Sequence, residues 1–173
     1  MKLSDNLSLA EVIKSNTAIK HGIDNSPTEE HLENLKAIAQ DVFQPVREHF
    51  GKPIYVSSGY RSEALNERIG GSLTSQHCKG EALDLDAHAY GGLTNAELFA
   101  YIAEWITFDQ LIWEFGDGVE PDWIHVSYKK EGKNRGQKLA AYKKDGKNTN
   151  YRSTCKMQLK LHQNLQPNKQ SVE

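Results

Sequence analysis

The stretch Ser57–Asp86, SSGYRSEALNERIGGSLTSQHCKGEALDLD, decides how the rest of the chain is read. Within it, Ser75-x-His77-x-x-Gly80-x-Ala82-x-Asp84 sets a histidine and a carboxylate in one short segment, with six residues between them. Further on, Trp123-Ile124-His125-Val126-Ser127 brings a second histidine inside a strand-like run. Two histidines and one carboxylate are a common protein ligand set for catalytic zinc, which keeps its fourth position open. His77 leaves a loop, Asp84 stands on the strand that follows, and His125 stands on another strand. Gly80 and Ala82 are small and leave room for neighbours to come close, and Ser75 is placed to hold a ligand from behind by a hydrogen bond.

Working outward, Ile54–Ser57 reads as a short strand stopped by Gly59. Ser62 then caps a helix through Ala64, Leu65 and Ile69 that closes at Gly70-Gly71. Arg61 sits at the corner between them. Leu73–Gly80 is expected to be loop and Glu81–Asp86 a strand, with Leu83 and Leu85 on one face and Ala82, Asp84 and Asp86 on the other. Carboxylates at Glu81, Asp84 and Asp86 are costly in a short strand unless it borders water, a metal or a cation.

Upstream, Ser8-Leu9-Ala10-Glu11 forms a capping box that predicts a short helix to about Ser15. The segment Thr17–Pro27 reads as loop, with His21 a surface residue in it. A second box, Ser26-Pro27-Thr28-Glu29, puts Pro27 at the first helical position. From there Leu32, Leu35, Ile38, Ala39, Val42, Phe43, Val46 and Phe50 step by three and four along one helix face, with a kink expected at Pro45. Downstream, Thr94-x-x-Glu97 caps a helix bearing Leu98, Tyr101, Ile102 and Trp105. Gln110–Phe115 and Trp123–Tyr128 read as strands, and Lys138–Tyr142 as one more. Helices followed by strands joined through short turns predict an α+β fold: a small antiparallel sheet carrying the zinc site, flanked by N-terminal and crossover helices.

The chain of 173 residues fits a single domain with a core of its own. Charge is split: residues 1–126 hold 9 Lys/Arg against 20 Asp/Glu, while 127–173 hold 12 against 3. The expected organisation is a folded domain over 1–142 and a polar, basic tail over 143–173, disordered in part or whole. Such a tail suits an anionic partner, but it lacks the interleaved aromatics of a nucleic-acid binder, so no nucleic acid is expected. No apolar run reaches the roughly 20 residues of a membrane helix. The N-terminus has no apolar signal segment, which implies synthesis in the cytoplasm. Cys78 and Cys155 show no paired spacing. Cys78 is expected to be a buried free thiol, since a neighbour of His77 in extended chain points away from it.

Hydrolysis at such a metal also needs a carboxylate to take a proton from the attacking water, and a cation for the developing oxyanion. Asp122, three residues before His125, is the first candidate base. A straight strand would put the two on opposite faces, so the bend at Pro121 is expected to swing the carboxylate inward. Glu120 and Glu114 are the alternatives. Arg61 is the candidate cation.

Together, Ser57-Ser58-Gly59-Tyr60-Arg61-Ser62, Leu65-Asn66, Gly70-Gly71-Ser72, Ser75-Gln76-His77, Gly80-Glu81-Ala82-Leu83-Asp84 and Trp123–Ser127 resemble the zinc-dependent peptidoglycan peptidases. These comprise D-alanyl-D-alanine carboxypeptidases, their dipeptidase relatives and phage L-alanyl-D-glutamate endolysins, which share the hedgehog/DD-peptidase fold. The resemblance covers roughly residues 5–142. It implies Zn2+ held by His77, Asp84 and His125, with Arg61 polarising the substrate and Ser75 and Gln76 supporting the ligands or touching substrate. Many carboxypeptidase members have Glu three residues before the second histidine. The shorter Asp122 resembles some endolysins and favours an L-alanyl-D-glutamate endopeptidase over a D-alanyl-D-alanine carboxypeptidase. A zinc-containing module that binds wall without cutting it is the remaining alternative. The implied partner is bacterial peptidoglycan, reached after release from the cell, with the basic tail contacting anionic wall polymers.

Overall fold

The computed structural model describes residues 1–144 and 148–154. A two-stranded antiparallel ribbon, β1 (Lys2–Ser4) and β2 (Leu7–Ser8), leads into α1 (Leu9–Val12) and α2 (Asn16–His21). The capping box of α1 forms as read, the Ser8 backbone N–H and hydroxyl donating to Glu11 at 2.8 and 2.6 Å. Helix α2 occupies ground expected to be loop. Ser15 Oγ accepts from Ala18 N at 3.2 Å and Gly22 closes the helix in the left-handed region. Six residues give too few turns for a helical period to stand out in sequence.

The long helix is one rod in three parts: α3 (Glu29–Ile38), a π-helical turn at Ala39–Phe43, and α4 (Gln44–Phe50). Its cap is Thr28, whose hydroxyl accepts from His31 N at 3.2 Å, so Pro27 precedes the helix instead of opening it. Pro45 has no N–H for the carbonyl four residues back, and its ring crowds that carbonyl. The wider turn before it, with Gln44 N–H bonded to Ala39 O, accommodates the ring. Leu35, Ile38, Ala39, Val42, Phe43 and Val46 are all buried along the rod.

The main sheet has six strands: β3 (Tyr55–Ser58), β4 (Ala82–Asp86), β5 (Gln110–Glu114), β6 (Trp123–Ser127), β7 (Gln137–Lys144) and β8 (Asn148–Ser153). Their spatial order is β3-β4-β6-β5-β7-β8. Helix α5 (Glu63–Arg68) follows β3, and α6 (Asn95–Trp105) crosses from β4 to β5. Strand β6 then inserts between those two.

The sheet is mixed, where a wholly antiparallel one was expected. The chain leaves β6 at Ser127 beside Gln110 and re-enters beside Gln110 at Gln137, so β7 runs parallel to β5. The sheet also continues past Tyr142, where the polar tail was expected to begin. β7 reaches Lys144, and β8 pairs with it from Asn148 to Ser153. Residues 155–173, the rest of that expected tail, lie outside the described residues.

Strand alternation gives the sheet two distinct faces. Leu83, Leu85, Leu111, Trp113, Ile124, Val126 and Ala140 join the helical side chains in one core. Burying each large aliphatic side chain there contributes roughly 1.5–3 kcal/mol. The opposite face carries Asp84, His125, Ile112, Glu114 and Leu139, which line an open cleft. No helix among the described residues is long and apolar enough to cross a membrane.

Candidate metal centre and its cleft

Sheet register brings the sequence-distant ligands together. Asp84 on β4 lies directly opposite His125 on β6. His77 comes from a 3-10 turn, Gln76–Lys79, that ends at Gly80. Gly80 has φ +71, and a Cβ there would meet the His31 carbonyl at 2.4 Å, so both the turn and its seat on α3 require glycine. His77 Nε2 stands 3.2 Å from Asp84 Oδ1 and 3.2 Å from His125 Nδ1, and His125 Nδ1 stands 3.0 Å from Asp84 Oδ1. All three residues are buried, and their ligating atoms lie within 4.8 Å of one another.

The outer ring nitrogens fix which atoms face inward. His77 Nδ1 lies 2.6 Å from the Gly59 carbonyl, and His125 Nε2 lies 3.4 Å from Gln76 Oε1. Both partners are acceptors, so each ring carries its proton on the outside and turns a lone pair inward. Burial pushes the His77 pKa down, although Asp84 works the other way. Burial would also raise the Asp84 carboxyl, but the two histidines, whenever they carry a proton toward it, outweigh burial and hold the group well below the usual carboxylate range, so it is ionised. Three inward acceptors with no proton between them repel one another until a cation joins them. The donor set therefore fits a divalent metal such as zinc.

Supporting contacts surround this cluster. Arg61 Nη2 donates to Asp84 Oδ2 at 2.7 Å and its Nε donates to Ser58 Oγ at 2.8 Å, leaving Oδ1 for the histidines. Arg61 thus lines the cleft, but its structural partner is a ligand carboxylate. Gln76 Nε2 donates to Asp109 Oδ2 at 2.9 Å, which fixes its carbonyl toward His125. Asp109 is fully buried and takes the Arg135 side chain on both oxygens, at 2.9 and 2.5 Å. A relay of Arg135, Asp109 and Gln76 therefore orients His125. Its first two members escape a sequence reading because nothing local marks them. We expect Gln76→Leu to weaken zinc affinity about ten- to a hundredfold in a chelator competition while the melting temperature holds. Unchanged affinity would refute this role.

Ser75 lines the cleft at the start of the turn. Cys78 is a partly buried free thiol outside the metal cluster. Burial raises its pKa, which favours the protonated thiol. Cys155 lies outside the described residues.

The expected base is not in this cleft. Asp122 is exposed and lines a separate hollow with Asp86, His88, Asp117 and Glu120. The strand is straight from Trp123 onward, so Trp123 and His125 share the cleft face and the bend at Pro121 does not turn Asp122 into it. Glu120 is committed elsewhere: its Oε1 accepts from Asn95 N at 2.6 Å and Ala96 N at 3.1 Å, at the start of α6. Glu114, the other alternative read from sequence, does line the cleft with His77, Asp84 and His125. It is buried at the end of β5, opposite Trp123 and two residues beyond Ile112, the partner of His125. Burial pushes its pKa up to about 7, with His125 opposing the shift and Asp84 adding to it. The sequence signal was a carboxylate closing the apolar run Leu111-Ile112-Trp113, on the parity of Ile112 rather than of the core.

The cleft holds about 400 Å³ and is walled by Arg61 and Thr74 on one side and by Leu139 and Tyr151 on the other. The family model of Peptidase M15 matches residues 5–127, a span that includes the three metal-cluster residues, Arg61 and Glu114. No curated protein matches the chain.

Proposed function

The chain belongs to the peptidase M15 family, and on that premise we propose that it is a zinc-dependent peptidase hydrolysing an amide bond in the stem peptide of bacterial peptidoglycan. The observation that carries this reading is the convergence of three inward acceptor atoms in a cleft that also holds Glu114. His77, Asp84 and His125 would hold the ion. A zinc ion there would supply Lewis acidity toward the scissile carbonyl and toward a water. Glu114 takes a proton from the attacking water and returns it to the departing amine, and a carboxyl whose pKa burial raises above the ordinary value suits both transfers. Arg61 fixes Asp84 and keeps a permanent positive charge beside the position where the oxyanion develops.

The bond we favour is an internal one, the L-alanyl-D-glutamate link cut by endolysins. A second hollow of about 410 Å³, beside β3, shares Arg61 with the cleft and gives room for substrate on both sides of the cut. Removal of a terminal D-alanine is the alternative outcome of the same test. A binding module without catalysis is disfavoured by Glu114, whose buried carboxylate makes, among the described residues, no hydrogen bond of the kind that Glu120 makes.

Mass spectrometry of defined muropeptides treated with zinc-loaded protein tests the proposal. A new D-glutamate amino terminus identifies the endopeptidase, and loss of one alanine identifies the carboxypeptidase. Intact muropeptides would defeat the enzymatic reading. In the same assay Asp122→Ala is expected to stay within about threefold of wild type, because loss of an exposed group outside the cleft leaves proton transfer intact. A hundredfold loss would return the base to Asp122.

A further inference from the structure

The hairpin β7–β8 lies beyond the segment matched by the family model, yet it forms one wall of the cleft. Its register explains how. Trp123 pairs with Glu114, Glu114 with Ala141, and Ala141 with Tyr151, so these four form a single row across the sheet. Residues paired across neighbouring strands point to the same face. Ala141, small and buried, separates Glu114 from Tyr151 in this row. Tyr151 is 54% exposed and lines the cleft, so it offers surface to whatever enters there. On the opposite parity, Arg152 instead packs over the Tyr142 ring, which confirms that the hairpin distinguishes its two faces.

We propose that Tyr151 is a substrate-contacting residue contributed by this added hairpin, its ring covering the bound stem peptide and its hydroxyl donating to a peptide carbonyl held across Glu114. The inference rests on the peptidase reading of the cleft and adds to it a specificity element. Burial raises the Tyr151 pKa, and the charges of Glu114 and Asp84 raise it further. The phenol therefore stays protonated at any working pH and acts as a donor. A donor aligned with substrate and an aromatic surface laid over it together give selectivity for the peptide that fits between β8 and the metal cluster.

The test separates this idea from the reading beneath it. Calorimetry with zinc-loaded Glu114→Gln protein and a purified disaccharide tetrapeptide measures binding without turnover. Adding Tyr151→Phe is expected to weaken binding severalfold and Tyr151→Ala about tenfold or more, while zinc content and melting temperature stay unchanged. In the otherwise wild-type enzyme Tyr151→Phe should raise KM more than it lowers kcat. Equal binding by the tyrosine and alanine forms overturns the proposal, and so does a loss accompanied by a matching fall in melting temperature. If wild type cuts nothing, the peptidase reading fails, and the calorimetric comparison still decides the role of Tyr151.

Discussion

Glu114→Gln is expected to lower kcat by about a hundredfold to ten-thousandfold while leaving zinc content unchanged. The amide keeps the volume and the hydrogen-bonding reach of the carboxylate but cannot take a proton from water. Wild-type activity should rise with pH as Glu114 ionises. The ascending limb is set between the ordinary carboxylate value and about 7, because positive charge in the metal cluster lowers a pKa that burial alone raises. In Glu114→Gln that limb should vanish along with most of the rate. Turnover of the variant within threefold of wild type would remove Glu114 from the mechanism.

The same side chain makes a second, independent prediction about the metal-free protein. A carboxyl with a pKa of about 7 when folded, against an ordinary 4.5, binds more protons folded than unfolded between those values. Stability therefore falls as pH rises through that window, and the full penalty is present above about 7. The penalty is on the order of 3 kcal/mol. Chemical denaturation of metal-free protein at pH 4.5 and pH 8 should show Glu114→Gln losing less stability than wild type. Parallel pH dependence in the two proteins would contradict a buried, proton-holding Glu114.

Asp84→Asn carries the other large effect, because every ion pair of the cluster converges on that carboxylate. Its Oδ2 takes Arg61, and its Oδ1 faces both histidines. The amide removes the charge and turns an N–H₂ toward one side or the other, so either Arg61 or the metal position meets a donor. We expect zinc to be absent after dialysis, activity to fall below detection, and the fold to lose about 3 kcal/mol because the partly buried Arg61 guanidinium loses its carboxylate partner. The acid limb of wild-type stability should report the same group. Because its folded pKa is depressed, Asp84 contributes stability above its unfolded value of 3.8 and loses that contribution as pH falls further. Stoichiometric zinc in Asp84→Asn would overturn the ligand assignment.

Much of this site was legible one residue at a time. The spacing of His77 and Asp84, the strand around His125 and the caps at Ser62 and Thr94 are local patterns, and the structure places each as read. Sequence proximity and spatial proximity part where the deciding contact lies far along the chain. Asp122 is near His125 in sequence, whereas Glu114 is near it in space, because β5 and β6 pair antiparallel and set Glu114 against Trp123. Short α2 and polar β8 carry too little periodic signal, and the second of them is held by pairing with β7 rather than by an apolar face.

The sequence by itself determined the types of residue at the centre: two imidazoles and a carboxylate, the glycines that let Gly80 turn beside α3, and a strand alternation that assigns core and cleft faces. Only the tertiary structure decided which acid lines the same cleft. Insertion of β6 between β4 and β5 puts His125 beside Asp84 and Glu114 into the same cleft, and the parallel return of β7 brings Tyr151 to its rim. A side chain's type and parity are written locally, but its neighbours across a sheet are fixed by strand order, which no local spacing encodes.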